Sequence, residues 1–252
     1  MAHSNPSGML TGDRTTDAPR LLSVEGLRTG YGRKQVVHDV GLHVAAGEIV
    51  GLMGHNGAGK TTLIRAVHGL LPVQGGRVLV DGADISRGSV ADSIRLGLAL
   101  IPSERFVFPD LNIRANLLLG AVNARRGTDR DAQLAFVEAL FPILADRATQ
   151  LAGSLSGGQQ RMVSLGIALM AKPRLLLLDE PSLGLAPSVV EQIFGTLRRL
   201  ADTGEMGILL LEQNVKQSLT ICDRVYVMRS GSLILDTTAA EMRTRESYWD
   251  LF

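Results

Sequence analysis

The sequence predicts an α/β fold, and three of its features do so. Short, almost unbroken apolar runs recur along the 252 residues, at 48–53, 175–178 and 208–211. Runs of this kind suit strands of a parallel sheet covered on both faces. Between them lie segments with helical spacing. In 188–201, Val189, Val190, Ile193, Phe194, Leu197 and Leu200 fall on one face. A glycine-rich turn at 54–59 then joins an apolar strand directly to a helical stretch.

In chain order, residues 1–20 are poor in large apolar side chains and rich in Ser, Thr, Gly, Asp and Pro, which predicts a disordered leader. They lack the apolar centre of a signal peptide. Residues 21–252 are expected to form one domain. Its first strands, 21–27, 36–38 and 42–45, suit a small antiparallel sheet. Residues 48–53 form a buried strand, 61–68 a helix, 77–80 a strand before the turn Asp81-Gly82, and 98–101 a strand closed by Pro102. No strand is expected from 103 to 153, where 112–120 and 129–140 are helical. An all-helical insert in a strand–helix chain predicts a subdomain, at about 103–171. Alternation then resumes with a helix to 171, a strand at 175–178, a helix at 188–201, a strand at 208–211, a helix at 215–222 and strands at 224–228 and 233–235.

Composition narrows the function. Lys plus Arg number 26 and Asp plus Glu 25, for a net charge of +1. So even a balance supplies no global field for nucleic acid, and no nucleic-acid partner is expected. The single cysteine, Cys222, excludes an intrachain disulfide and a Cys-based zinc cluster, and its apolar helix context predicts a core position. No run approaches the roughly 18 apolar residues of a membrane span. Arg125, Arg126 and Arg130 are expected to form a solvated face of the insert. Tyr248, Trp249, Leu251 and Phe252 are expected to pack on the domain or a partner.

The turn Gly54-His55-Asn56-Gly57-Ala58-Gly59-Lys60-Thr61 matches G-x-x-x-x-G-K-[ST], with an apolar strand before it and a helix after it. Glycines let successive N–H groups point inward as a nest for phosphate oxygens, and the positive end of the following helix adds to this. Lys60 is then expected at the β- and γ-phosphates, the Thr61 hydroxyl on Mg²⁺, and Thr62 near the α-phosphate. Downstream, Leu175-Leu176-Leu177-Leu178-Asp179-Glu180 is an apolar strand ending in two carboxylates. Alone, the pair would equally well favour the dipole of the next helix. With a phosphate cradle upstream, Asp179 becomes a candidate to hold Mg²⁺ through water, and Glu180 to polarise a water for attack on the γ-phosphate.

Leu155-Ser156-Gly157-Gly158-Gln159, about twenty residues before the LLLLDEP strand, resembles the signature of ABC-type ATPases. The likeness covers roughly residues 21–235. It implies a P-loop NTPase (RecA-like) core with an N-terminal antiparallel β subdomain and the inserted helical subdomain as the transporter-docking part. By the same likeness, two subunits pack head to tail, so that the signature serves the partner's ATP. Ser156 can cap the helix it starts, and the two glycines free the backbone for close approach. Tyr31 matches the aromatic that stacks on adenine, and 182–186 the loop that crosses the dimer interface. Two positions depart from the family pattern. Ser103 stands where most members carry a Gln beside the metal, and Gln213 where most carry a γ-phosphate-contacting His. The resemblance places Ser103 with Thr61 and Asp179 at the metal, and Gln213 with Glu180 in catalysis. Gln bonds hydrogen but carries no charge, so slower turnover at this chain's own cradle is expected.

Residues 106–109, 180–187 and Glu212-Gln213-Asn214 resemble the LivF-like ATP-binding subunits of branched-chain amino acid importers. The likeness implies ATP and Mg²⁺ as cofactors and a second ATPase subunit, LivG-like or another copy. It also implies two membrane permeases, an extracytoplasmic solute-binding protein acting indirectly, and a peripheral place on the cytoplasmic face of the membrane. In that subfamily the insert usually opens Pro-Glu-Gly-Arg or Pro-Gln-Gly-Arg, whereas here it reads Pro102-Ser103-Glu104-Arg105. Urea or short-amide import, and a mainly regulatory subunit that clamps ATP with slow hydrolysis, stand as alternatives. A DNA-repair or chromosome ATPase is disfavoured by the short insert and near-zero charge.

Overall fold

The computed structural model describes residues 18–104, 106–124, 127–245 and 247–248. Most of the predicted leader lies outside these residues, as do Arg105, Arg125, Arg126, Trp249, Leu251 and Phe252.

Strands β1 (Arg20–Tyr31) and β2 (Lys34–Ala45) pair antiparallel. The expected short strands 36–38 and 42–45 are two halves of β2. Asp39 takes a left-handed φ of 53°, and the pairing slips in register around Leu27, which carries one strand through the polar break. β3 (Ile49–Met53) is wholly buried and leads through the glycine-rich turn to α1 (Lys60–Val67). β4 (Gly75–Val80) and β5 (Ala83–Asp84) complete an antiparallel sheet of order β2-β1-β4-β5. α2 (Val90–Arg95), missed in the sequence, is started by a capping box between Ser89 and Asp92.

β6 (Leu98–Ile101) precedes a stretch of helices, α3 (Ile113–Gly120), α4 (Arg130–Leu140), α5 (Pro142–Asp146) and α6 (Gly157–Met170). Asn112 and Asp129 cap α3 and α4 through their side-chain oxygens, and Arg130 is exposed. There follow β7 (Leu175–Asp179), α7 (Pro187–Asp202), β8 (Gly207–Glu212), α8 (Val215–Ser218), β9 (Arg224–Arg229), β10 (Ser232–Thr238) and α9 (Ala239–Arg243). The helix expected over 215–222 stops at Ser218. The next residues turn inward so that Asp223 accepts the Ile49 N–H at 2.8 Å and delivers the chain to β9. Cys222 is therefore off the helix but still in the core, and burial pushes its thiol up to about 12.

The second sheet has the order β10-β9-β3-β8-β7-β6 and is parallel except for the β10/β9 pair. The unbroken apolar runs are explained by its two covered faces. Leu176, Leu178, Ile208 and Leu210 pack into one core with residues of α3, α6 and α7. Leu175, Leu177, Leu209 and Leu211 point the other way, into a core shared with α1 and the antiparallel sheet. Tyr248 packs against the first of these cores.

Candidate nucleotide site

The candidate residues gather at the edge of the parallel sheet where β3, β7 and β8 end. Gly59 has a φ of 108°, and a Cβ there would come within 2.9 Å of the Met228 Cε, so the turn into α1 accepts only glycine. Lys60 opens α1 with its side chain only 4% exposed. Its Nζ donates to the carbonyls of Gly54 at 2.6 Å and His55 at 3.3 Å, and lies 3.6 Å from Glu180 Oε1. Burial lowers the ammonium's pKa, and the charges of Glu180 and Asp179 oppose that fall.

The Thr61 hydroxyl donates to Asp179 Oδ1 at 3.3 Å, bridging α1 and the end of β7. Burial holds the Asp179 carboxyl above the usual carboxylate range, against the pull of this hydrogen bond. Thr61 and Asp179 thus form adjoining hard-oxygen groups of the kind that suits a small divalent cation. Among the described residues no group of three His, Cys, Asp or Glu is arranged to hold a metal. A cation at this pair would therefore draw its remaining ligands from water and phosphate, as Mg²⁺ commonly does. Glu180 adopts a φ of 46° and donates its N–H to the Leu211 carbonyl at 2.9 Å.

Other expected residues lie close by or apart. Tyr31 Oη is 3.5 Å from Thr62 Oγ1, so the antiparallel sheet brings a half-exposed aromatic ring to the start of α1. His55 turns its ring Nδ1 to the Asn56 carbonyl at 2.6 Å; Asn56 and Gly57 are exposed, and Ala58 is core. Ser156 caps α6 through a reciprocal pair with Gln159. A Cβ on Gly158 would meet Val189 Cγ1 at 2.7 Å, so α6 starts tight against α7. Leu155 is buried. Among the described residues no hydrogen bond or ion pair joins 155–159 to the cradle. Ser103 is held through its backbone: its carbonyl accepts from Arg161 Nη2 at 2.6 Å and that of Pro102 from Nη1 at 2.7 Å. The structure joins its side chain to neither Thr61 nor Asp179. Gln213 is exposed, one residue beyond the cluster.

Two residues without an assigned role belong to this region. Arg161 is buried and forks onto the backbone at 102–103. Glu212, 2% exposed, ends β8 and accepts the Ser182 N–H on Oε1 at 2.9 Å. Burial pushes its carboxyl up, although hydrogen bonds from Ser182 and the Gln213 backbone favour the charged form. The signal for Glu212 was legible: an apolar run ending in a carboxylate, as in the LLLLDE strand.

The family model described as ABC transporter matches residues 37–183. The chain is 39% identical to the high-affinity branched-chain amino acid transport ATP-binding protein BraG of Pseudomonas aeruginosa, over 92% of this chain and 99% of that one. It is 37% identical to the lipopolysaccharide export system ATP-binding protein LptB of Escherichia coli, over 88% and 92%. It also resembles a solved nucleotide-free ATP-binding cassette from an ABC transporter, with a TM-score of 0.81, 25% identity, and 92% and 97% of the two chains covered. A motif-bearing α/β core, a match over about nine-tenths of the chain to transporter ATP-binding proteins and a matching cassette fold agree: this chain belongs to the ABC transporter family and is an ABC-type ATPase, the ATP-binding subunit of a transporter.

Proposed function

We propose that this subunit energises import of branched-chain or other hydrophobic amino acids. The observation that carries the reading is the likeness to BraG along nearly the whole of both chains. The comparable identity to LptB makes lipid export the reading to be tested against it.

In this proposal Lys60 and the N–H groups of the turn hold the ATP phosphates, and Tyr31 carries the adenine. Thr61 and Asp179 would hold Mg²⁺, which when bound neutralises phosphate charge. Glu180 orients and polarises the attacking water. The signature at Ser156, Gly157 and Gly158 completes the cradle of a second ATPase subunit, and that subunit's signature completes this one. Closure on ATP passes through the helices α3 to α6 to membrane permeases on the cytoplasmic face. An apolar cavity of about 540 Å³, lined by Ile101, Phe106, Leu119, Val122 and Ile167, is suited to receive them. Among the described residues no helix is long and apolar enough to cross a membrane.

The test is co-purification from detergent-extracted membranes, then reconstitution of the complex in vesicles. ATP-dependent uptake of leucine, isoleucine or valine is expected. Uptake of urea alone, or movement of a lipid instead, would replace the substrate class. Ser103 and Gln213 favour a second reading, slow hydrolysis at this chain's own cradle, since a Gln can hydrogen-bond but cannot carry charge. In the complex, Ser156→Arg should then damage ATPase activity more than Gln213→Ala, whose loss is worth about 0.5–1.5 kcal/mol.

A further inference from the structure

We infer that Glu212 is a positioning residue for hydrolysis, its carboxylate fastening the loop after Glu180 to the end of β8 and setting Glu180 against Gln213. The inference rests on the reading of Glu180 as the group that polarises water.

Two consecutive residues of β8 hold the loop. The Leu211 carbonyl accepts the Glu180 N–H at 2.9 Å, and Glu212 Oε1 accepts the Ser182 N–H at 2.9 Å. Pro181 between them has no N–H to offer. These two bonds bracket Glu180, which sits at a φ of 46°, a backbone conformation that a glutamate keeps only where its surroundings impose it. Gln213 follows Glu212 directly in the chain, so the residue that fastens the loop after Glu180 also adjoins the second expected catalytic group.

The choice of residue also points to function. Glu212 continues the run Ile208, Leu209, Leu210, Leu211, all fully buried. A leucine there would extend the core without the cost of burying a charge. The carboxylate's hydrogen bond is to the Ser182 N–H, and no ion pair joins it to a cation among the described residues. An ionised carboxylate offers acceptors at both oxygens, whereas a glutamine offers one and adds a donor where donors already point. A buried acid that fastens a loop is warranted if the loop's geometry matters to the reaction.

The test uses the full chain as Glu212→Gln and Glu212→Leu, beside Glu180→Gln. ATP affinity is measured by calorimetry, hydrolysis in single turnover, and exchange of the 180–186 amides by mass spectrometry. ATP affinity should stay within about threefold of the parent, while hydrolysis falls roughly tenfold or more in Glu212→Leu and less in Glu212→Gln. Amides at 180–186 should exchange faster in Glu212→Leu, with those of α1 unchanged. Unchanged hydrolysis in both variants overturns the inference, and so does a parallel loss of ATP affinity and melting temperature, the mark of a structural role. Where hydrolysis by the chain alone is too slow to follow, the exchange result decides: equal rates in parent and Glu212→Leu overturn it. If Glu180→Gln hydrolyses like the parent, the reading of Glu180 fails instead.

Discussion

The two edges of the parallel sheet treat buried charge in opposite ways. At the edge where strands begin, charges close on one another. Arg224 Nε lies 2.9 Å from Glu48 Oε1, and the same guanidinium donates to the His43 carbonyl, contacts Asp236 and sits over the Tyr226 ring. Burial opposes the Arg224 charge, yet Glu48 raises its pKa overall. Arg198 similarly binds Asp202 and Asp223. At the edge where strands end, Asp179, Glu180 and Glu212 face one ammonium, Lys60, whose short bonds go to backbone carbonyls. Asp179 and Glu212 are both pushed toward their neutral forms by burial. A closed ion pair fastens strands and asks for nothing further. In the proposed function, the unbalanced cluster would keep its capacity for a phosphate, a cation and a water, at some cost to the empty fold.

Four measurements break or sharpen that contrast. The largest effect is expected from Glu180→Gln at the open edge. Hydrolysis should fall on the order of a hundredfold to ten-thousandfold, with ATP binding kept, as read by single-turnover rates beside calorimetry. Undiminished turnover would show the cluster is not catalytic.

At the closed edge, Glu48→Gln should leave the buried Arg224 with only the more exposed Asp236 as countercharge. Denaturant unfolding is expected to show a loss of about 3 kcal/mol, the low end for a broken buried pair. ATP affinity, measured on the variant under conditions where it is folded, should not change. A selective loss of ATP affinity would mean the two edges are not separate.

Lys60→Ala returns to the open edge with a smaller cost. Charge-assisted phosphate bonds are lost, worth about 1.5–3 kcal/mol of Mg-ATP binding. Calorimetry that finds parent-like affinity would remove the cradle from the site.

The smallest effect concerns pH. Asp179 is pushed above its ordinary value in the folded chain, so folding favours its protonated form. That contribution is fully present below the unfolded pKa and is lost as pH rises through the folded pKa. Nucleotide-free Asp179→Asn should therefore gain on the parent in stability as pH rises from the ordinary carboxylate range toward neutrality. Denaturant midpoints across that range check the sign. A gap that narrows would show that Asp179 is paired as tightly as the Arg224 cluster.

Much of this was legible in the residues because it depends on local rules. The 54–61 turn lies between a strand and a helix, and such a turn has few other uses. The runs at 175–178 and 208–211 required two covered faces, and the alternation of Leu176 and Leu178 against Leu175 and Leu177 shows both. The expected cap at Ser156 marks the start of α6, and Asn112 and Asp129, where the expected helical stretches begin, prove to cap α3 and α4. By contrast, the continuity of β2 through Asp39 depends on its pairing with β1, and the early end of α8 on the inward packing before Asp223. α2 and α9 are too short for periodicity to announce them.

The sequence by itself determined the α/β class, the cradle from Gly54 to Thr62, the Asp179–Glu180 pair and the capped signature at Ser156. Each is written in neighbouring residues, where spacing and side-chain chemistry suffice. Only the tertiary structure decided which distant groups meet. It set Thr61 on Asp179 across 118 positions, Arg161 on the backbone of Ser103, and Glu212 under Ser182. It also left Gln213 facing solvent. Such contacts follow from strand order and from which end of each strand the loops share, and no local pattern records either.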